Sequence, residues 1–176
     1  MSKWSIINQK YIEKNQWVSL RKDKCRTETG KEIEEYYVLE IQDVSCVIAA
    51  TKENKFLFIK EYKHGVQKEI LQLPCGYIEK DEQPLDAAQR ELLEETGYAS
   101  KKWKSLGKFA GSPGRLTHYY HFFLAEDCEK VQEPMLDELE TAYVLEYTKK
   151  EVEEQLKKQE TDIISKLGFL MIKEKI

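Results

Sequence analysis

The chain has 176 residues, 41 % hydrophobic and 34 % charged, with a net charge of −4 at pH 7. That length suits one domain with a substantial core and is short for two, and the composition excludes a disordered chain. No apolar run approaches the ~18 residues of a membrane span. The opening MSKWSIINQK lacks the apolar segment and cleavage site of a secretory signal, so a cytoplasmic protein with no membrane partner is expected. The negative balance argues against non-specific nucleic-acid binding. It is concentrated: residues 79–98 carry seven carboxylates against Lys80 and Arg90, a net −5, which leaves +1 for the rest of the chain. Cys25, Cys46, Cys75 and Cys128 are far apart with no CxxC pair, as expected of reduced cysteines rather than a zinc site or a disulfide frame.

In chain order, residues 17–21 and 34–41 are rich in aromatic and β-branched residues around a Thr27-Glu28-Thr29-Gly30 turn, which predicts a long hairpin. Residues 44–50 and 56–62 predict a second strand pair around Lys52-Glu53-Asn54, the latter strand buried on both faces. After Pro74 and Gly76 a loop is expected. A helix follows, with Pro84 in its first turn and Gly97 just past its end. Strands are expected over 103–109 and 117–125, split by the breaker Gly111-Ser112-Pro113-Gly114, and a short one over 144–147. Thr148-Lys149-Lys150-Glu151 is a capping-box pattern. Ile163, Ile164, Leu167, Leu170 and Met171 then space a last helix. This mixed order predicts an α+β domain with layered α/β/α architecture. Residues 1–43 form an N-terminal hairpin region within it and 44–176 its core.

On the helix predicted over 84–96, Leu85, Ala88 and Leu92 share one arc, and Glu91, Glu94 and Glu95 a neighbouring one. Like charges at these spacings cost a few tenths of a kcal/mol per pair. Such a face is either simply solvated or a cage for a hard divalent cation, which prefers oxygen ligands and bridges carboxylates to phosphates.

The residues here match a family signature. Gly76, five residues, Glu82, seven residues, then Arg90-Glu91-Leu92-Leu93-Glu94-Glu95-Thr96-Gly97-Tyr98 resembles the Nudix box, G-x5-E-x7-R-E-U-x-E-E-x-G-U with U apolar; Tyr98 is an unusual last residue. Leu73-Pro74-Cys75-Gly76 and Ser112-Pro113-Gly114 resemble the L-P-A-G and SPG elements of the ADP-ribose pyrophosphatase branch. Residues 16–20 with 29–31, and 147–151, are similar to its N-terminal hairpin and C-terminal helix entry.

The resemblance implies the Nudix fold: an α/β/α sandwich with a mixed sheet and an N-terminal hairpin extension. It implies Mg2+-dependent hydrolysis, with Mn2+ a substitute, of the pyrophosphate bond of a nucleoside diphosphate sugar, most simply ADP-ribose to AMP and ribose 5-phosphate. Hydrolysis of GDP-mannose or another nucleotide sugar is the alternative within the class; a catalytically silent nucleotide-binding sensor is the alternative outside it. By resemblance, Glu91, Glu94, Glu95 and the carbonyl of Cys75 hold metal, Gly76 gives the site structural support, and Glu82 with Arg90 braces the loop. The general base would come from the loop beyond the SPG element, with Glu138 the first choice and Glu140 the second. Trp17 and Tyr36, on opposite arms of the hairpin, resemble residues that stack adenine; packing in a core or dimer is the other reading of such aromatics. Lys63 stands where the branch often has a phosphate-binding arginine, and lysine holds a phosphate only as a point charge. Arg115 follows the SPG element and is expected to take over part of that contact. The branch is generally dimeric through its N-terminal region, so a homodimer is expected.

Overall fold

A computed structural model describes residues 3–16, 18–135, 142–158 and 160–173. The chain divides into two compact units, Met1–Asp43 with Phe109–Tyr120, and Val44–Lys108 with His121–Ile176. Residues 109–120, assigned from sequence to the core region, thus pack with the N-terminal unit.

The first unit is an antiparallel meander of β1 (Ser5–Lys14), β2 (Ser19–Arg26) and β3 (Glu32–Glu40). The predicted hairpin is β2–β3; its turn closes with Gly30 N–H donating to the Thr27 carbonyl, 3.0 Å, and Gly30 at φ 82°. That left-handed backbone suits glycine. β1 is an addition to the expected pair. Its register to β2 slips between Ile6 and Asn8 and again between Tyr11 and Glu13, so the two-residue alternation that marks a strand in sequence is broken. The sheet is pinned by Arg21, whose Nε and second guanidinium nitrogen donate to both Asp23 oxygens at 2.8 and 3.0 Å. Glu40 accepts from Arg21 and from the Tyr11 hydroxyl. Trp4, Ile6, Ile7, Ile12 and Tyr37 remain exposed.

The second unit is built on a sheet of order β11-β5-β4-β10-β8, from β4 (Val44–Thr51), β5 (Lys55–Lys63), β8 (Tyr98–Ala99), β10 (Tyr119–Lys130) and β11 (Ala142–Thr148). β6 (Lys68–Gln72) pairs with β5, β7 (Cys75–Tyr77) with β4, and β9 (Lys102–Ala110) with β10. β7, just ahead of the expected loop, is an addition to the expected strands: Ser45 stands opposite Gly76 and Cys46 opposite Cys75. Three residues are too few for a periodic signal, and Pro74 reads as a breaker while its carbonyl still accepts from Val47 N–H at 2.9 Å.

Three helices follow the expected positions: α1 (Pro84–Thr96), α2 (Lys149–Gln155) and α3 (Ile163–Ile172). The alternation of strand side chains sends successive residues to opposite faces. Val47, Ala49, Leu57, Phe123 and Ala125 pack with Ala88 and Leu92 of α1. On the other face Phe56 meets Phe169 of α3 edge-on at 5.6 Å, and Gly168 lies close against Leu73, Phe122 and Ile48. The unit is therefore an α/β/α sandwich. α1 ends at Gly97, φ 75°, whose N–H donates to the Leu93 carbonyl at 2.8 Å. α2 opens with the reciprocal capping box of Thr148 and Glu151. Among the described residues, no helix is long and apolar enough to cross a membrane.

Candidate active site on the acidic helix

With Ala88 and Leu92 buried in the core, α1 turns Glu91, Glu94 and Glu95 along the edge beside β7. Arg90 is the hub. Its Nε and one terminal nitrogen grip both Glu82 oxygens at 2.9 and 3.1 Å, and that nitrogen also donates to the Tyr77 carbonyl at 3.0 Å. Glu82 in turn accepts from Glu79 N–H at 2.8 Å. Strand β7, the following loop and the helix are thereby tied at one point, the bracing expected of the Glu82–Arg90 pair. The bond to Arg90 holds Glu82 below the usual carboxylate range, and the bond to Glu82 raises Arg90 further above its own.

The remaining terminal nitrogen of Arg90 reaches Glu91 at 2.7 Å and Glu94 at 3.2 Å. Glu95 accepts from the Cys75 N–H at 2.9 Å. Burial pushes Glu91 upward despite Arg90. Burial, with the nearby Cys75 and Glu91, pushes Glu95 well above its ordinary range, opposed by the Cys75 N–H and by Lys63. Gly76 completes the cradle: a Cβ there would fall within 2.5 Å of all three carboxyl atoms of Glu91. The donor type fits a hard divalent cation, because all-oxygen carboxylate and carbonyl sets suit such ions. Among the described residues, no three His, Cys, Asp or Glu groups converge as a closed cage; Glu91 and Glu94 lean on Arg90 instead.

Lys63, at the end of β5, is held by Glu61 at 2.6 Å, and Glu61 also accepts from the buried Gln72 side chain at 3.2 Å. Burial lowers the Lys63 pKa, but the bond to Glu61 and the nearby Cys75 and Glu95 leave it raised. Lys63 is thus within electrostatic reach of Glu95. Glu61 and Gln72 were not singled out from sequence, although Glu61 and Lys63, two apart on a strand, share a face. The Cys75 thiol is raised well above its ordinary range by its bond with Cys46 and by burial, which makes it a poor nucleophile.

In the N-terminal unit, Tyr36 is not a vacant ring. The Arg115 guanidinium lies over it at 4.4 Å, and the edge of Trp4 meets it at 5.6 Å. Arg115 also donates to the Tyr37 carbonyl at 3.0 Å. Trp4 was missed from sequence because β1 was not recognised there. Trp17, Glu138 and Glu140 lie outside the described residues. The segment leading to those glutamates starts beside the acidic helix: Met135 N–H donates to the Glu94 carbonyl at 2.7 Å.

Comparison with known proteins places the chain in a family. The family model for the NUDIX domain matches residues 40–167, and that for the nucleoside diphosphate sugar hydrolase N-terminal domain matches residues 4–39. An ADP-ribose pyrophosphatase of Bacillus subtilis (strain 168) is 39 % identical over 104 residues, 58 % of this chain and 56 % of that protein. A methanol dehydrogenase activator of Bacillus methanolicus is 36 % identical over 115 residues, 65 % of this chain and 62 % of that protein. The matches thus span less than two thirds of either relative. A crystal structure of an ADP compounds hydrolase superposes with a TM-score of 0.85 at 18 % identity, over 98 % of this chain and 93 % of that one, a likeness of fold.

Proposed function

We propose that this chain, which belongs to the Nudix hydrolase family, hydrolyses the pyrophosphate bond of a nucleoside diphosphate sugar with Mg2+, ADP-ribose to AMP and ribose 5-phosphate being the leading reaction. The observation that carries the reading is the row of Glu91, Glu94 and Glu95 on α1, with Glu95 bonded to the Cys75 backbone and Arg90 tying Glu91 and Glu94 to Glu82 and the Tyr77 carbonyl. The relative named for ADP-ribose and the N-terminal family model support the choice of substrate class.

In this reading Glu91, Glu95, Glu94 and the Cys75 carbonyl hold the cation, which when bound neutralises phosphate charge and polarises the attacking water. Arg90 keeps its grip on Glu82 and the Tyr77 carbonyl, so the carboxylates stay aimed while their charge is rebalanced. Lys63, steadied by Glu61, offers a point charge to the phosphates. Glu138, or failing it Glu140, accepts the proton of the attacking water; the anchoring of Met135 to Glu94 starts that segment beside the helix, which supports the assignment. The N-terminal unit serves base recognition and self-association. Its exposed Trp4, Ile6, Ile7 and Ile12 on a thin three-stranded sheet support a homodimer.

The test is a hydrolysis screen over ADP-ribose, GDP-mannose, NADH, dinucleoside polyphosphates and oxidised nucleotides, each with Mg2+ and Mn2+. ADP-ribose turned over fastest supports the proposal; a different preferred substrate moves the specificity, and no turnover of any removes the activity.

A further inference from the structure

The loop at Ser112–Leu116 is fixed twice over. Internally, the N–H groups of Arg115 and Leu116 donate to the Ser112 carbonyl at 3.0 and 2.8 Å. Externally, Leu39 N–H donates to the Arg115 carbonyl at 2.8 Å and Thr117 N–H to the Leu39 carbonyl at 3.2 Å, so the loop runs as an extra rung along β3. The Tyr36 hydroxyl donates to the Gly114 carbonyl. On this frame the Arg115 guanidinium lies against the Tyr36 ring with one nitrogen committed to the Tyr37 carbonyl, while Trp4 supports the ring from its edge. Arg115 and Trp4 are themselves exposed.

A guanidinium is planar, delocalised and weakly hydrated, and it stacks on flat rings through either face. Here the guanidinium carbon rests 4.4 Å from the Tyr36 ring centroid and one nitrogen is bonded to the Tyr37 carbonyl, so its position is set beforehand and little side-chain freedom is lost when a flat ring arrives. A base seeking the face of Tyr36 that Arg115 covers would have to break the cation–π contact and the bond to Tyr37. A base settling on the guanidinium breaks neither.

We propose that Arg115 is a specificity-determining residue whose guanidinium, backed by Tyr36, is the platform on which the substrate's base stacks, rather than a contact to its phosphates. This rests on the reading of the chain as a nucleotide-sugar hydrolase. It assigns the aromatic hairpin residue a supporting place and puts the direct base contact on the loop after it. Purines, with the larger ring surface, gain more from such a platform than pyrimidines.

The experiment is calorimetric binding of adenosine, AMP and UMP to the wild-type protein and to Arg115→Ala, Arg115→Met and Arg115→Lys, with thermal unfolding to confirm folding. The wild type binds AMP more tightly than UMP. Arg115→Ala and Arg115→Met each weaken AMP and adenosine by the same factor, roughly 5-fold or more, and narrow the gap to UMP. Arg115→Lys restores little, since an ammonium offers no plane. A loss for AMP that adenosine does not share makes Arg115 a phosphate contact and overturns the proposal. Tighter AMP binding by Arg115→Ala makes the guanidinium an obstruction on the base's seat, and also overturns it. So do unchanged affinities, or a wild type that binds neither adenosine nor AMP. Turnover of ADP-ribose by the wild type is measured separately, so failure of the hydrolase reading is seen independently of these binding results.

Discussion

Adding one methyl group, Gly76→Ala, separates the site from the fold. The Cβ would stand within 2.5 Å of the Glu91 carboxyl, where carbon contacts settle at ~3.5–4.0 Å, so the carboxyl must retreat by about 1 Å or more. Gly76 has no positive φ, and β7 tolerates an alanine backbone there. What yields is the far end of a flexible side chain, at the expense of the 2.7 Å bond from Arg90. Arg90 keeps both bonds to Glu82 and one to the Tyr77 carbonyl. The lost pair is partly solvated, so its worth is about 1 kcal/mol or less, a fall in melting temperature of roughly 2–4 °C at this chain length. The catalytic effect is larger, because a misplacement of about 1 Å in a positioned group can cost ~100-fold. The assay pairs thermal unfolding with initial rates on ADP-ribose across a Mg2+ titration. An enzyme with wild-type rates and wild-type Mg2+ dependence would refute the assignment of Glu91, and a variant that no longer folds would refute the claim that the clash is absorbed by a side chain.

Glu95→Gln should lower kcat/KM by more than about tenfold, ~1.4 kcal/mol of barrier. It should also change stability in a pH-dependent way: the folded pKa of Glu95 is raised above its ordinary value of 4.5, so its neutral form stabilises the fold at low pH and that contribution is lost as pH rises through the folded value. Melting curves without metal should therefore show Glu95→Gln level with the wild type near the ordinary carboxylate range and more stable at pH 8; a mutant less stable at pH 8 contradicts the burial argument. Glu138→Gln should reduce kcat with little change in KM. If Glu140→Gln does so instead, the base moves along the loop, and if neither does, the loop assignment is wrong. Leu92→Ala, at a fully buried position between α1 and the sheet, should cost about 2–5 kcal/mol, read as a lower denaturant midpoint; an unchanged midpoint would mean that α1 does not anchor on this stripe.

Legibility in the sequence followed physical periodicity. α1 was readable to its ends because Pro84 and Gly97 mark them and Leu85, Ala88 and Leu92 repeat at helical spacing. β4 and β5 were readable as dense apolar runs. β1 was hidden by two register slips that place Ile6 and Ile7, and Tyr11 and Ile12, side by side. β6 and β7 were hidden by brevity and by Pro74. In the site, the pairing of Glu82 with Arg90 was implied by the family resemblance alone, and the two residues meet through two bonds. The Glu61–Gln72 contact and the Arg115–Tyr36 stack could not be read in advance. They join residues 11 and 79 positions apart through strand register and loop docking, which single-chain spacing does not encode.

The most direct measurement is the product analysis of ADP-ribose incubated with the wild-type chain and Mg2+, with and without a chelator, beside Glu95→Gln. AMP and ribose 5-phosphate are expected in equal amounts from the wild type, abolished by the chelator and reduced more than tenfold in the variant. Hydrolysis that survives the chelator, or that Glu95→Gln leaves at the wild-type rate, would contradict the proposed metal-dependent reaction.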